Sequence, residues 1–161
     1  AQIETGGTSR SNSGVGFAIP VSVVSRVVPA LIENGKYEWA WLGVRGGSLT
    51  PTLIEALKLP VDQRGAYIAE VTRGGPAERA GLRGATDTVS VNVRLVEVGG
   101  DVVTAVDVRP VRSFDDLLLN VALEARPDQE VTLAVIRDGR PQEVRARLGT
   151  RPAAQDISPI P

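Results

Sequence analysis

The chain has 161 residues, 42 % of them hydrophobic, and a net charge of −1. That length suits one ordinary domain with chain to spare, and the apolar fraction excludes wholesale disorder. With no cysteine and no histidine, it holds no disulfide, no thiolate metal site and no Ser-His-Asp triad, and its charge gives no electrostatic reason to expect nucleic acid.

Aromatic residues are only 4 %, so the core must be built from Val, Leu, Ile and Ala. Gln2 to Ser13 is rich in Gly, Ser and Thr and reads as a loop. Val15 to Ile19 reads as a short strand. Pro20 then opens a helix with Val24, Val27, Val28, Leu31 and Ile32 on one face, kinked at Pro29 and stopped at Asn34-Gly35. This apolar run is too short to span a membrane and is interrupted by Arg26 and Pro29. No basic-then-apolar leader opens the chain, which reads as a piece of something longer.

Leu42 to Arg45 reads as a strand. Thr50 caps a helix that runs from Pro51 to Lys58. Ala66 to Val71 is a strand and Pro76 to Ala80 a short helix ended by Gly81. Thr88 to Val93 and Leu95 to Val98 suggest a hairpin, followed by a strand at Val102 to Val106. Ser113 caps a helix to about Glu124, with Asp115 and Asp116 at its positive end. Val131 to Ile136 and Val144 to Leu148 form a second hairpin about Asp138-Gly139. The end from Thr150 to Pro161 is Pro-rich and reads as a mobile tail. The fold class is mainly β with short helices, arranged as a small, partly open barrel.

Several segments follow one family's order. GVGFAIP at Gly14 to Pro20 precedes WLGV at Trp41 to Val44. GAYIAEV, GGPAERAGLRG, GGDVVTAVD, SFDDLLLNVAL and VTLAVIRDG follow between Gly65 and Gly139. This order resembles the join between the protease domain and the first PDZ domain of HtrA-type, DegP-like serine proteases. The resemblance implies three parts: residues 1–37 as the strand and helix that end a chymotrypsin-like protease domain, 40–149 as a PDZ domain, and 150–161 as a flexible tail.

It further implies a peptide-binding function. A peptide C-terminus would add as a strand to an open sheet edge. Leu42-Gly43-Val44 matches the loop whose N–H groups hold the terminal carboxylate, and the strand through Arg45 and Gly46 would pair with the peptide. Leu118 and Val121 match the pocket for the last side chain, which should then be a small or medium hydrophobic residue. Either residue could equally be ordinary core. The partners implied are C-termini of unfolded or damaged proteins and the parent's own protease domain, outside the cytoplasm. No cofactor, metal or nucleic acid is implied. The Val24 to Ile32 helix, parted from its usual barrel, should dock on the PDZ core or on a second copy.

Three features stand apart. Asn12-Ser13-Gly14 resembles the centre of a protease nucleophile motif, but Ser11 and Val15 replace its flanking glycines and it lies beside GFAIP, so it is a decoy. Asn92-Val93 and Asp107-Val108 stand at turns where a glycine would be usual. Arg83 to Gly100 is longer than a minimal PDZ connection and suggests a branch-specific hairpin. Two other readings remain: a PDZ module of another protease class, or a scaffold that never had a protease. GVGFAIP argues against the first, and the abrupt start in a loop against the second.

Overall fold

A computed structural model describes residues 2–3, 16–17 and 21–152, in two compact units, Ala1–Tyr37 and Glu38–Pro161. In the first unit, β1 (Gln2–Ile3) pairs antiparallel with β2 (Gly16–Phe17). Gln2 and Ile3 therefore belong to a strand and not to the expected loop, because β2 offers their backbone a partner. Asn12-Ser13-Gly14 and Pro20 lie outside the described residues. Next comes α1 (Val21–Asn34), which runs through Pro29. It stops where Gly35 turns to φ +69° and its N–H reaches the Leu31 carbonyl at 3.0 Å. Val24, Val28, Leu31 and Ile32 are exposed along it.

The second unit opens with β3 (Ala40–Trp41), β4 (Val44–Ser48) and α2 (Pro51–Ala56). Of the strand expected at Leu42 to Arg45, only Val44 and Arg45 lie in one, because Leu42 and Gly43 form a break between β3 and β4. Gly43 sits at φ +80°, outside the extended region that regular strand residues occupy. α2 begins as expected, with the Thr50 hydroxyl accepting from the Leu53 N–H at 3.2 Å, but ends at Ala56. After it come β5 (Ala66–Val71), α3 (Pro76–Arg79), the hairpin β6 (Asp87–Val91) and β7 (Arg94–Val98), and β8 (Val102–Val106). The chain continues through β9 (Arg109–Pro110), α4 (Phe114–Leu119), β10 (Glu130–Arg137), β11 (Arg140–Arg147) and β12 (Gly149–Thr150).

The main sheet is antiparallel and open, in the order β11-β10-β8-β5-β4. β8 pairs with β5 through Val102 and Val103 and with β9 through Ala105 and Val106. β12 pairs with β3, setting Thr150 opposite Ala40. Thr150 is therefore part of the fold and not the start of a tail. The core gathers Ile68, Val103, Leu133, Val135 and Ala146 from the strands, Leu148 from the link between β11 and β12, and Leu117 from α4. The last strand alternates as its sequence suggests, with Val144, Ala146 and Leu148 buried and Glu143, Arg145 and Arg147 exposed.

Among the described residues, one charged side chain is fully buried. Asp101 is fully buried, and Arg137 grips it with Nε–Oδ1 and Nη2–Oδ2 contacts, both 2.7 Å. The Arg83 N–H adds a third bond to the carboxylate at 2.9 Å. A buried carboxylate is tolerated only when its lone pairs are used in this way. The contact with Asp101 in turn raises the pKa of the Arg137 guanidinium above its ordinary value.

The two unusual turns resolve differently. Asn92 and Val93 both take positive φ, 48° and 68°, so the β6–β7 turn keeps the tight left-handed form despite its β-branched residue. At the β8–β9 turn only Asp107 is left-handed, at φ 51°. Asp107 is held there by β10: its N–H donates to the Thr132 carbonyl at 2.7 Å, and its Oδ1 accepts from the Thr132 N–H at 2.8 Å.

Candidate functional site

β4 is an edge strand, and its hydrogen-bond alternation can be read from its neighbours. The Thr72 N–H donates to the Gly43 carbonyl at 2.9 Å, and Val44 stands opposite Val71. In an antiparallel pair bonded and non-bonded residues alternate, so Val44 is non-bonded and turns its N–H and C=O away from β5. A bulge between Arg45 and Gly46 then shifts the register. Beyond it the Leu49 N–H donates to the Gly65 carbonyl at 3.3 Å, with Ser48 opposite Ala66 and Gly46 opposite Ile68. The backbone groups of Gly46 and Ser48 therefore also face outward. Ile68 agrees with this assignment, since its N–H goes the other way, to the Asp101 carbonyl at 2.9 Å.

Both ends of β4 are pinned. At the start, the Leu42 carbonyl accepts from the Ala77 N–H of α3 at 2.8 Å. At the end, the Ser48 hydroxyl accepts from the Phe114 N–H, the first residue of α4, at 2.9 Å. Ser113 caps this helix as its sequence predicts, with its hydroxyl accepting from the Asp116 N–H at 3.1 Å. The edge of β4 and the flank of α4 thus bound a groove.

An apolar cavity of about 420 Å³ fills its near end. Leu42, Gly43 and Val44 line one side, and Leu117, Leu118 and Val121 the other. The expected single helix to Glu124 changes winding here: α4 ends at Leu119, and residues Asn120–Glu124 form a π turn. Such turns are rare and frequent at functional sites. Val121, on the π turn, is 5 % exposed and belongs to the core as well as the cavity wall, while Leu118 is 46 % exposed. Among the described residues, the N–H groups of Leu42 and Gly43 have no hydrogen-bond partner.

A second cavity, of about 690 Å³, shares Val44 and Leu118 with the first. It runs past Arg45, Gly46 and Phe114 to Glu97 of the β6–β7 hairpin. Arg45 is exposed and pairs with Glu70 at 3.1 Å. All seven residues singled out from the sequence (Leu42, Gly43, Val44, Arg45, Gly46, Leu118 and Val121) line one or both cavities. Trp39, Ala40, Trp41, Leu117, Ala122 and Arg151 also line the first and were not singled out from the sequence. Trp41 and Leu117 carried a signal, since one abuts the glycine loop and the other lies on the helix's apolar stripe. Arg151 carried none.

An open strand edge facing a helix, with a glycine-broken loop at one end, is the architecture of a domain built to accept a strand. Residues 40–148 match the PDZ domain family, and the chain belongs to it.

Its relatives include HtrA-type serine proteases. The chain is 34 % identical over 145 residues to a probable periplasmic serine endoprotease, DegP-like, of Rhizobium meliloti, covering 90 % of this chain and 25 % of that protein. It is 31 % identical over 137 residues to the periplasmic pH-dependent serine endoprotease DegQ of Escherichia coli, covering 85 % and 26 %. The chain therefore spans about a quarter of these relatives. Among solved structures it resembles the HtrA-type protease AlgW with decapeptide, at TM-score 0.70 and 32 % identity, over 93 % of this chain and 41 % of that one. The PDZ domain of HtrA3 bound to a phage-derived ligand shares the fold at TM-score 0.54 and 18 % identity, over 77 % and 98 %.

Proposed function

We propose that this region binds the C-terminus of another polypeptide as an added strand on β4. The observation that carries the reading is the outward backbone of Val44, Gly46 and Ser48 beside an apolar cavity. A peptide antiparallel to β4 pairs with those groups. Its last side chain enters between Val44 and Leu118, above Val121. Its carboxylate accepts from the N–H groups of Leu42, Gly43 and Val44, because N–H groups without partners in a buried loop need an acceptor. Aliphatic walls favour a terminal Val or Leu. Peptides in complex with AlgW and with the HtrA3 PDZ domain support the reading.

The whole protein is then an HtrA-type serine endopeptidase acting in protein quality control outside the cytoplasm, in keeping with relatives named periplasmic. Residues 1–37 belong to the end of its protease domain, and the PDZ module presents C-termini to that domain or switches it on. In the present chain, the exposed side chains of α1 drive self-association.

The test is a calorimetric titration with a decapeptide ending in Val, as the free acid and as the amide. The acid should bind and the amide should bind far more weakly. Equal affinity overturns the assignment of the carboxylate loop.

A further inference from the structure

We infer that Arg151, which follows the residues matching the PDZ family, supplies the positive charge that holds the terminal carboxylate. The inference rests on the groove reading and adds to it a residue that lies outside residues 40–148. The cavity at the near end of β4 is walled by aliphatic and aromatic residues, and Arg151 is the one charged residue among those lining it. A carboxylate entering an apolar cavity loses hydration, and that loss opposes binding unless a counter-charge and hydrogen bonds replace the water. Backbone N–H groups supply hydrogen bonds but no net charge. Arg151 supplies the charge.

The residue is held in place by pairing and not by local sequence. β12 lies against β3, with Gly149 opposite Trp41 and Thr150 opposite Ala40. One residue on, the Arg151 N–H donates to the Trp39 carbonyl at 2.9 Å. β3 leads directly into Leu42-Gly43, so β12 delivers Arg151 beside the strand that feeds the carboxylate loop. Among the described residues Arg151 is exposed and makes no ion pair, whereas Arg45, Arg109, Arg137 and Arg147 each have a carboxylate within 4.0 Å. Its guanidinium can meet a carboxylate in a planar, two-point contact that an ammonium cannot reproduce.

The experiment compares the acid and amide forms of the Val-ending decapeptide on four proteins: the unaltered chain, Arg151→Ala, Arg151→Lys, and Arg145→Ala as a control that removes the same charge from the exposed face of β11. Arg151→Ala should weaken the acid about tenfold, the low end for a hydrogen bond to a charged group, and leave the amide unchanged. Arg151→Lys should restore part of the loss, and Arg145→Ala should leave the acid-to-amide ratio intact. The salt dependence of acid binding should flatten in Arg151→Ala alone. An unchanged ratio in Arg151→Ala, or an equal loss for acid and amide, overturns the inference while the groove reading stands. If the unaltered chain binds neither peptide, both fail.

Discussion

Gly46 lies so close to β5 that a β-carbon on it would stand 1.9 Å from the carbonyl oxygen of Tyr67. Backbone oxygen cannot give way as a side-chain tip can, so β4 can lie this close to the bulge in β5, where Ala69 is the extra residue, only with glycine here. The bulge turns Gly46 and Ser48 outward on the same edge as Val44. Gly46→Ala should therefore cost about 1–3 kcal/mol of stability, the range for overpacking. It should also weaken peptide binding in protein that is still folded. Denaturant unfolding and peptide titration on one sample read the two effects.

Leu117 and Leu118 are neighbours with opposite duties. Leu117 is fully buried and Leu118 is 46 % exposed at the cavity. Leu117→Ala should lose about 2–5 kcal/mol of stability. Leu118→Ala should lose much less stability while reducing affinity for the Val-ending peptide. The reverse pattern would place the groove elsewhere.

Val93 holds φ 68° while 98 % exposed, so it contributes no packing that repays the strain. Val93→Gly should stabilise the chain by about 1 kcal/mol, the low end for a residue held in the left-handed region. Melting temperature checks it, and a drop would mean that the turn is not strained.

Burial raises the pKa of the Tyr67 phenol above its ordinary 10.0, against a smaller lowering by the Gly100 N–H that donates to its oxygen. The folded state then keeps its proton at a pH where the unfolded state has lost it. Stability from this group is complete below pH 10.0 and falls as pH rises through the folded value. Unfolding measured from pH 8 to 11 should show that decline. Tyr67→Phe should remove this share of the decline and lose about 1 kcal/mol at neutral pH with the hydrogen bond.

Asp101 is fully buried while its partner Arg137 is partly exposed, so removing Arg137 leaves the carboxylate without a counter-charge. Arg137→Ala should cost about 3–5 kcal/mol, read by chemical unfolding at neutral pH.

Much of this fold is legible because local chemistry marks it. β5 and β8 stand at the residues expected, each an apolar run bounded by glycine or a turn. Thr50 and Ser113 cap their helices as small hydroxyl residues should. Other features depend on contacts distant in sequence. The break at Gly43 and the bulge at Gly46 depend on where β5 lies. The π turn from Asn120 keeps the apolar stripe and so hides in a helical pattern. Thr150 and Arg151 read as tail because prolines follow them, yet Thr150 pairs with Ala40 of β3 and the Arg151 N–H bonds to the Trp39 carbonyl.

A peptide strand added along the open edge of β4 would be seen in residue-by-residue amide exchange, measured with and without the Val-ending peptide. New protection is expected at Val44, Gly46 and Ser48, with little change at Arg45, whose N–H already faces β5. Protection confined to other strands, or none at these three residues at saturating peptide, would contradict strand addition at β4.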